Sequence, residues 1–179
     1  MSYLMLIDIQ NGFITPETKH ILPDLKELTE SFDGMLIATQ FINRGEPFSS
    51  ILGWNELQNK PAIDLIPFVQ TRADIVIRKD KYTACTKGLT EFIRQGNISE
   101  IYIAGIDTDC CVMKTALDLF EMGIKPIVLS HYCASTAGNS IHLAALDMLK
   151  RNIGEAQVID GKFENIFKAC LLYTSDAAD

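Results

Sequence analysis

The sequence has few of the groups that several common functions require. Its 16 Lys and Arg residues are outnumbered by 23 Asp and Glu residues, for a formal net charge of −7, and no basic stripe could neutralise nucleic-acid phosphates. The N-terminal apolar run Tyr3–Ile7 stops at Asp8, which makes it too short for a signal sequence or a membrane span. We therefore expect a cytoplasmic protein with no nucleic-acid partner and no membrane partner.

Clustered metal-binding or disulfide-forming residues are also missing. The histidines are scattered, at His20, His131 and His142. The five cysteines are Cys85, Cys110, Cys111, Cys133 and Cys170. Their number is odd and their spacing is not that of a zinc or disulfide framework, which is typical of reduced thiols in a reducing compartment. The sequence therefore predicts no metal site and no cofactor.

Apolar runs of strand length alternate with amphipathic segments of helix length along the chain. Runs without polar alternation, such as Tyr3–Ile7 and Met35–Phe41, are typical of parallel strands covered on both faces. Further along, we expect a short helix within residues 63–69, an amphipathic helix at 86–95 and a strand that begins at 126–129. The repeated strand and helix pattern predicts an α/β fold, a three-layer α/β/α architecture with a mostly parallel six-stranded sheet. The size and the 47% hydrophobic content favour one domain, which we place at residues 1–169.

The last ten residues, 170–179, read CLLYTSDAAD. This string is similar to the in-frame translation of a transposase adapter used in shotgun library preparation. We expect it to be an artefactual tail that carries no function, with the natural C-terminus missing.

The string IYIAGIDTDCCVMKTALD predicts a buried strand, a tight turn and a helix. Gly105 permits a sharp change of direction, and Thr108 or Asp109 can cap the helix. Cys110 and Cys111 then fall in the first helical turn, where free N–H groups and the helix dipole favour a thiolate and can stabilise an oxyanion. The alternative is that these cysteines are small buried hydrophobes.

Three separated strings resemble motifs of the isochorismatase-like cysteine hydrolases, a family that includes nicotinamidases and carbamoyl amidases. GIDTDCCVMKTALD resembles the nucleophile motif, roughly G-[LIV]-x-T-[DN]-x-C-V-x-x-T-A-x-D, which implies that Cys111 is the nucleophile and that Cys110 occupies a variable position. LMLIDIQNGF resembles the opening motif, which implies that Asp8 is the general acid/base. KDKYTAC resembles K-x-x-[YF]-[ST]-A-[FC], which implies that Lys79 is the catalytic lysine. The resemblance covers most of residues 3–159.

The family also implies where these groups meet. Its strand order, 3-2-1-4-5-6, puts the ends of strands one and four at the switch point where open sheets bind ligands. Lys79 starts two strand spacings from strand one, on the order of 10 Å, so its side chain has to bridge that gap. The family places a cis peptide at Ile106–Asp107, and backbone N–H groups near Asp107 and Cys111 are the expected oxyanion donors.

The predicted substrate pocket is aromatic. Its expected lining residues are Phe13, Phe41, Trp54 and Tyr82. Residues 43–61 form a segment long enough for a functional loop, and we interpret it as a lid. Arg44 in this segment is either a clamp for a substrate carboxylate or a solvated arginine.

Taken together, the resemblance implies a cysteine hydrolase that cleaves a C–N bond of a small amide, ureide or carbamoyl compound. Asp8, Lys79 and Cys111 form its triad, a thioester is the intermediate, and the protein is a homo-oligomer, either a dimer or a tetramer. One alternative is an isochorismate-type vinyl-ether hydrolase, but those enzymes lack the cysteine. Another is a non-enzymatic thiol redox or binding module that uses Cys110 and Cys111. Metal-dependent nicotinamidases carry an aspartate and histidines after strand two, which this chain lacks, so nicotinamide is the less favoured substrate.

Overall fold

A computed structural model describes residues 1–162, and its centre is a six-stranded sheet. The strands are β1 (Tyr3–Ile7), β2 (Met35–Phe41), β3 (Ile75–Lys79), β4 (Glu100–Ile106), β5 (Lys125–Ala134) and β6 (Val158–Ile159). They follow the order β3-β2-β1-β4-β5-β6, and every neighbouring pair is parallel. The predicted α/β fold and its strand order are therefore confirmed.

Helices cover both faces of the sheet. They are α1 (Leu22–Ser31), α2 (Pro67–Arg72), α3 (Lys87–Gln95), α4 (Met113–Glu121) and α5 (Asn139–Ile153). Successive side chains of a strand point to opposite faces, so Leu4 and Leu6 of β1 join the core on the α1 and α2 side, whereas Met5 and Ile7 join the core on the α3, α4 and α5 side. The two cores on either side of one sheet give the three predicted layers.

Some element boundaries differ from the sequence-based expectation. The short helix expected within residues 63–69 begins at Pro67 instead, because proline suits the first turn of a helix, where its missing N–H is not needed. The strand predicted to begin at residues 126–129 runs from Lys125 to Ala134, which brings the next loop to the same sheet edge as the end of β4.

Gly105 has a different role from the predicted one. It lies inside β4 with a φ of 137°, and a Cβ added there would stand 2.2 Å from the carbonyl oxygen of Ile7. Glycine is therefore needed for the close approach of β4 to β1, and not for the turn. The change of direction follows in a wide helical turn, Thr108–Val112, in which the Val112 N–H donates to the Asp107 carbonyl at 3.0 Å. The N-cap is Asp107, not Thr108 or Asp109.

The described part of the chain, residues 1–162, contains no helix that is long and apolar enough to cross a membrane. The end of the predicted domain, at residue 169, and the suspected tail at 170–179 both lie outside the described residues.

Candidate active site

Three strand ends bring a carboxylate, an ammonium and a thiol together. Asp8 follows β1, Lys79 ends β3, and Cys111 lies in the helical turn after β4. The Lys79 Nζ is 2.7 Å from Asp8 Oδ2 and 3.4 Å from Cys111 Sγ. All three residues are buried, with exposed fractions of 0% for Asp8 and 4% for each of the others. Residues far apart in the sequence thus form one cluster at the carboxyl edge of the sheet.

Lys79 reaches this cluster across strand β2. Side chains alternate along β3, so Arg78 is exposed while Lys79 is buried. Lys79 pairs with Phe41 in the β2–β3 register, and its Nζ lies 5.1 Å from the Phe41 ring centroid. The ammonium also donates to the carbonyl oxygens of Lys81 and Tyr82, each at 3.0 Å. These contacts hold the charge at the point where the thiol and the carboxylate meet.

Asp8 is oriented by Thr39, a residue to which sequence reasoning gave no role at the site. The Asp8 backbone has a left-handed φ of 52°, which is uncommon for a residue other than glycine and is often found at functional sites. The Thr39 hydroxyl accepts from the Asp8 N–H at 3.0 Å and donates to Asp8 Oδ1 at 2.6 Å. Within the described residues, Oδ2 accepts no hydrogen bond of standard geometry. Oδ2 is the carboxylate oxygen that lies against the Lys79 ammonium, at 2.7 Å, and Oδ1 is the oxygen that Thr39 holds.

The protonation of the site differs from the sequence-based expectation. Burial raises the pKa of the Cys111 thiol well above its ordinary value, and Asp8 raises it further, while Lys79 offsets part of the shift. The expectation that the helix N-terminus pushes this thiol toward the thiolate is therefore wrong, because burial and the neighbouring carboxylate raise the pKa by more than the ammonium lowers it. Burial lowers the pKa of Lys79, but the charges of Asp8 and Cys111 outweigh burial and leave that pKa raised. The lysine therefore stays charged beside a protonated sulfur.

The adjacent Cys110 has a different environment. It is half-buried, and its Sγ donates toward Asp109 Oδ2 at 3.4 Å. Burial and the charge of Asp109 raise the pKa of Cys110 to about 12. Of the two adjacent thiols, Cys111 is the one in contact with the lysine ammonium.

A cavity of about 320 Å³ opens above Cys111. The predicted pocket residues Phe13, Phe41, Trp54 and Tyr82 all line it. Phe48, from the predicted lid segment, packs edge to face against Phe41 with ring centroids 4.9 Å apart. An aromatic cavity over the sulfur suits a small, flat, largely apolar molecule.

Other lining groups were missed by the sequence reasoning. Asp107 lines the cavity, although only its backbone N–H was expected to act, and Thr136 lines the cavity from the loop after β5. The one signal for Thr136 in the sequence is its position after a strand, since loops at the carboxyl ends of parallel strands meet at one edge.

The segment 43–61 does lie over the aromatic cavity. Asn43 holds the segment in place, because its Nδ2 donates to the carbonyls of Trp54 and Glu56 at 2.9 and 3.1 Å. Arg44 is largely exposed, lies 3.9 Å from Asp80, and does not line the cavity. It therefore matches the solvated arginine rather than the carboxylate clamp.

A second cavity, of about 360 Å³, is lined by all three histidines but by none of the cluster residues Asp8, Lys79 and Cys111. It is larger than the aromatic cavity, but the buried ion pair and the candidate nucleophile are elsewhere, so the aromatic cavity is the candidate active site. Among residues 1–162, no group of three or more His, Cys, Asp and Glu side chains could hold a metal ion.

The positions that would hold a metal after β2 have other roles. Phe41 stands at the position of the aspartate, and its ring packs against the Lys79 ammonium and lines the cavity. Asn43 stands at the position of a histidine and anchors the segment 43–61. Neither position has a carboxylate or an imidazole, so this donor set does not fit the metal of the metal-dependent nicotinamidases. The absence of a metal stays a prediction.

The structure is thus that of a three-layer α/β protein with a buried thiol, ammonium and carboxylate at the carboxyl edge of its parallel sheet. The isochorismatase domain model matches residues 2–161, which is most of the chain. The chain therefore belongs to the isochorismatase family. The recognition made from the three motifs is confirmed, and so is the hydrolase class that goes with it.

Individual relatives agree with this assignment. The chain is 26% identical to a nicotinamidase of Acinetobacter baylyi, in an alignment covering 84% of this chain and 89% of the relative. An isochorismatase-like hydrolase from Alkaliphilus metalliredigens superposes with a TM-score of 0.79 at 21% identity, over 94% of this chain and 98% of the other. An N-carbamoylsarcosine amidase from Thermoplasma acidophilum superposes with a TM-score of 0.74 at 22% identity, over 86% of this chain and 94% of the amidase. The two superpositions show the shared fold.

Proposed function

We propose that the protein hydrolyses the C–N bond of a small amide, ureide or carbamoyl compound through a thioester on Cys111. The observation that carries the proposal is the buried contact of Cys111 Sγ with the Lys79 ammonium, which itself contacts the Asp8 carboxylate, beneath an aromatic cavity. The names of the relatives, a nicotinamidase and an N-carbamoylsarcosine amidase, support amide and carbamoyl chemistry.

The first step is attack of Cys111 on the substrate carbonyl. Because the resting sulfur is protonated, its proton has to leave as the carbon–sulfur bond forms. Asp8 Oδ2 is the acceptor, since Thr39 holds the other carboxylate oxygen. Lys79 stabilises the negative charge that develops on sulfur. Backbone N–H groups of Asp107 and Cys111, beside the cis peptide Ile106–Asp107, are the proposed donors to the oxyanion.

The second step is collapse of the tetrahedral intermediate. The C–N bond breaks, and Asp8 returns its proton to the leaving nitrogen, which departs as ammonia or an amine. A water molecule then attacks the thioester carbon while Asp8 accepts a proton from that water. Collapse of this second intermediate releases the acid product, and Cys111 recovers a proton from Asp8. Each step moves one proton through the same carboxylate.

The alternatives have less support. A vinyl-ether hydrolase of the isochorismate type needs no cysteine, whereas here a thiol contacts the ammonium of the cluster. A redox module built on Cys110 and Cys111 would need both thiols to react together, but adjacent cysteines rarely form a relaxed disulfide. Cys110 is also oriented toward Asp109 and not toward Lys79.

The remaining features of the proposal concern the whole protein. We propose a cytoplasmic homo-oligomer, a dimer or tetramer, with a single domain ending near residue 169 and with neither nucleic acid nor a membrane as a partner. Ile51 and Leu52, beside the cavity, have exposed fractions of 84% and 62%, which supports a contact between subunits at this loop. Light scattering on the tail-free protein tests the oligomer, and a monomer at micromolar concentration contradicts it.

The experiment for the proposed chemistry uses a panel of nicotinamide, simple ureides and carbamoyl compounds. We expect release of ammonia or an amine, and an acyl adduct on Cys111 by mass spectrometry after rapid quenching. Cys110→Ala is the matched control, because it removes the adjacent thiol and leaves the Asp8–Lys79–Cys111 cluster intact. An adduct on Cys110, or turnover that survives Cys111→Ala, contradicts the proposal.

A further inference from the structure

The charges that line the aromatic cavity are of one sign. Its lining among the described residues contains two carboxylates, Asp107 and Glu56, and no Lys, Arg or His. The nearest ammonium, on Lys79, is already in contact with Asp8, Cys111 and two backbone carbonyls. A substrate carboxylate would therefore enter this cavity without a partner of opposite charge, and an unpaired charge in a partly desolvated site is costly.

Asp107 is the carboxylate next to the reacting sulfur. It directly precedes the turn that holds Cys111, and it is half-buried in the cavity wall. Its Oδ1 accepts from the Thr136 N–H at 2.5 Å. This bond holds one carboxylate oxygen, and the residue is partly exposed and lines the cavity. Glu56, in contrast, is exposed on the segment 43–61, where water screens its charge.

Asp107 is ionised at the pH of most enzyme assays. Burial raises the pKa of Asp107 to about 6, the charges of Asp109 and Asp8 contribute to the rise, and the hydrogen bonds from Thr136 oppose it. The other titratable groups that interact with it are Tyr82 and Cys110, and both have raised pKa values and are uncharged at neutral pH. The carboxylate therefore carries its charge above pH 6 and loses it below.

We infer that Asp107 determines the substrate class: its side chain accepts hydrogen bonds from a cationic or N–H-rich group of the substrate, and the cavity rejects substrates that carry a carboxylate. This inference rests on the proposed amide hydrolysis and makes it more specific. Among amides, ureides and carbamoyl compounds, it favours neutral or positively charged ones over the anionic N-carbamoyl amino acids. A hydrogen bond to a charged partner is strong enough for a preference of about 10- to 100-fold.

The test compares two flat ligands of the same size and opposite charge, benzamidine and benzoate. Trp54 is the only tryptophan of the chain and lines the cavity, so its fluorescence reports binding without any turnover. At pH 8 we expect benzamidine to bind at least about 10-fold more tightly than benzoate. We expect benzamidine binding to weaken as the pH falls from 8 to 5, because Asp107 then becomes protonated.

Two variants assign the preference to one carboxylate. Asp107→Asn keeps an oxygen that can accept from the Thr136 N–H, and we expect it to remove most of the preference and the pH dependence. Glu56→Gln removes the other carboxylate of the lining, and we expect the preference to persist. Thermal unfolding of both variants checks that they are folded. The comparison of benzamidine with benzoate, and its pH dependence, is made on the wild-type protein and does not depend on the folding of any variant.

Several results would overturn the inference. They are failure of benzamidine to bind at millimolar concentration, benzoate binding as tightly as benzamidine, a preference that survives Asp107→Asn, and a preference that is lost in Glu56→Gln. These outcomes are separate from failure of the proposed function, which shows as the absence of any acyl adduct on Cys111. A charge preference without an adduct would leave Asp107 as a recognition residue of a different reaction.

Discussion

Cys111 and Cys133 are both buried thiols at the carboxyl side of the sheet, and they differ in what surrounds the sulfur. Cys133 lies in β5 opposite Gly105 of β4, and its Sγ points to the Leu129 carbonyl at 3.3 Å. Burial raises the pKa of Cys133 to about 12, with no charged side chain contributing. Cys111 is equally buried, but it contacts an ammonium that is itself paired with a carboxylate.

Cys111 and Cys133 share the effect of burial on the thiol pKa, and they differ in the charged groups next to the sulfur. Burial keeps both sulfurs protonated, so it cannot by itself make a nucleophile. Only Cys111 has a nearby acceptor for its proton and a cation to stabilise the charge left behind. The larger cavity, next to Cys133, is lined by none of Asp8, Lys79 and Cys111, and its lining within residues 1–162 includes no Phe, Tyr or Trp. The predictions below test whether this difference in neighbours decides the reactivity.

The largest expected effect is on turnover in Cys111→Ala. Removing the nucleophile should lower kcat by about 10⁴-fold or more, as in other enzymes that form a covalent intermediate. The matched variant Cys133→Ala should keep kcat within about threefold, because that thiol touches no reacting group. The measurement is steady-state kinetics with any substrate found in the panel. An equal loss in both variants would show that the charged neighbours do not distinguish the two thiols.

The second largest effect is the fall in kcat when Asp8, the proposed proton acceptor, is replaced. Asp8→Asn should lower kcat by about 10²- to 10⁴-fold, because the protonated thiol then has no base to take its proton. Iodoacetamide labelling of the same variant should not slow at Cys111, because the Asp8 carboxylate raises the pKa of that thiol and its removal favours the thiolate; labelling at Cys133 should stay unchanged. Labelling that slows equally at both cysteines would point to a general change in structure.

The third prediction concerns stability. Lys79→Met leaves the Asp8 carboxylate buried without its cation, and this should lower the free energy of unfolding by about 3–5 kcal/mol. Combining Asp8→Asn with Lys79→Met should restore much of that loss, because no unpaired charge remains. Urea denaturation at pH 7 measures both effects. A double variant that is as unstable as Lys79→Met alone would contradict the pairing.

The smallest expected effect is the contribution of Cys133 to the pH dependence of the free energy of unfolding. Its pKa is raised in the folded state from an ordinary value of 9.0, so the unfolded state loses the thiol proton first as the pH rises. The stabilisation that comes from keeping this thiol protonated in the folded state is fully present below pH 9 and is lost progressively as the pH rises above it. Between pH 8 and pH 10, the free energy of unfolding should fall by about 1 kcal/mol more in the wild type than in Cys133→Ala. Parallel pH curves for the two proteins would exclude this contribution.

Much of the fold could be predicted because local patterns in this chain agree with its tertiary structure. The uninterrupted apolar runs that became β1 and β2 have the predicted bounds. Thr86, at the start of a predicted helix, does cap α3 by accepting from the Leu89 N–H. Such signals lie within a few residues of each other, so they can be read from the sequence alone.

The site could be predicted only in part. The resemblance indicated Asp8, Lys79 and Cys111, and the structure brings them together, but their catalytic roles stay predictions. The roles of Thr39 and of the Asp107 side chain depend on contacts with residues about 30 positions away, which no local pattern encodes. The thiolate expectation was wrong because it considered the helix terminus around Cys111 and not the depth of burial.

Phe41 links two parts of the molecule that could otherwise change independently. Its ring lies beneath the Lys79 ammonium, and the same ring forms part of the cavity wall. Altering it to reshape the binding space would also shift the cation that sits against the sulfur. Evolution or engineering of new selectivity in this chain should therefore retain Phe41 and act through the segment 43–61, from which Trp54 and Leu52 line the cavity.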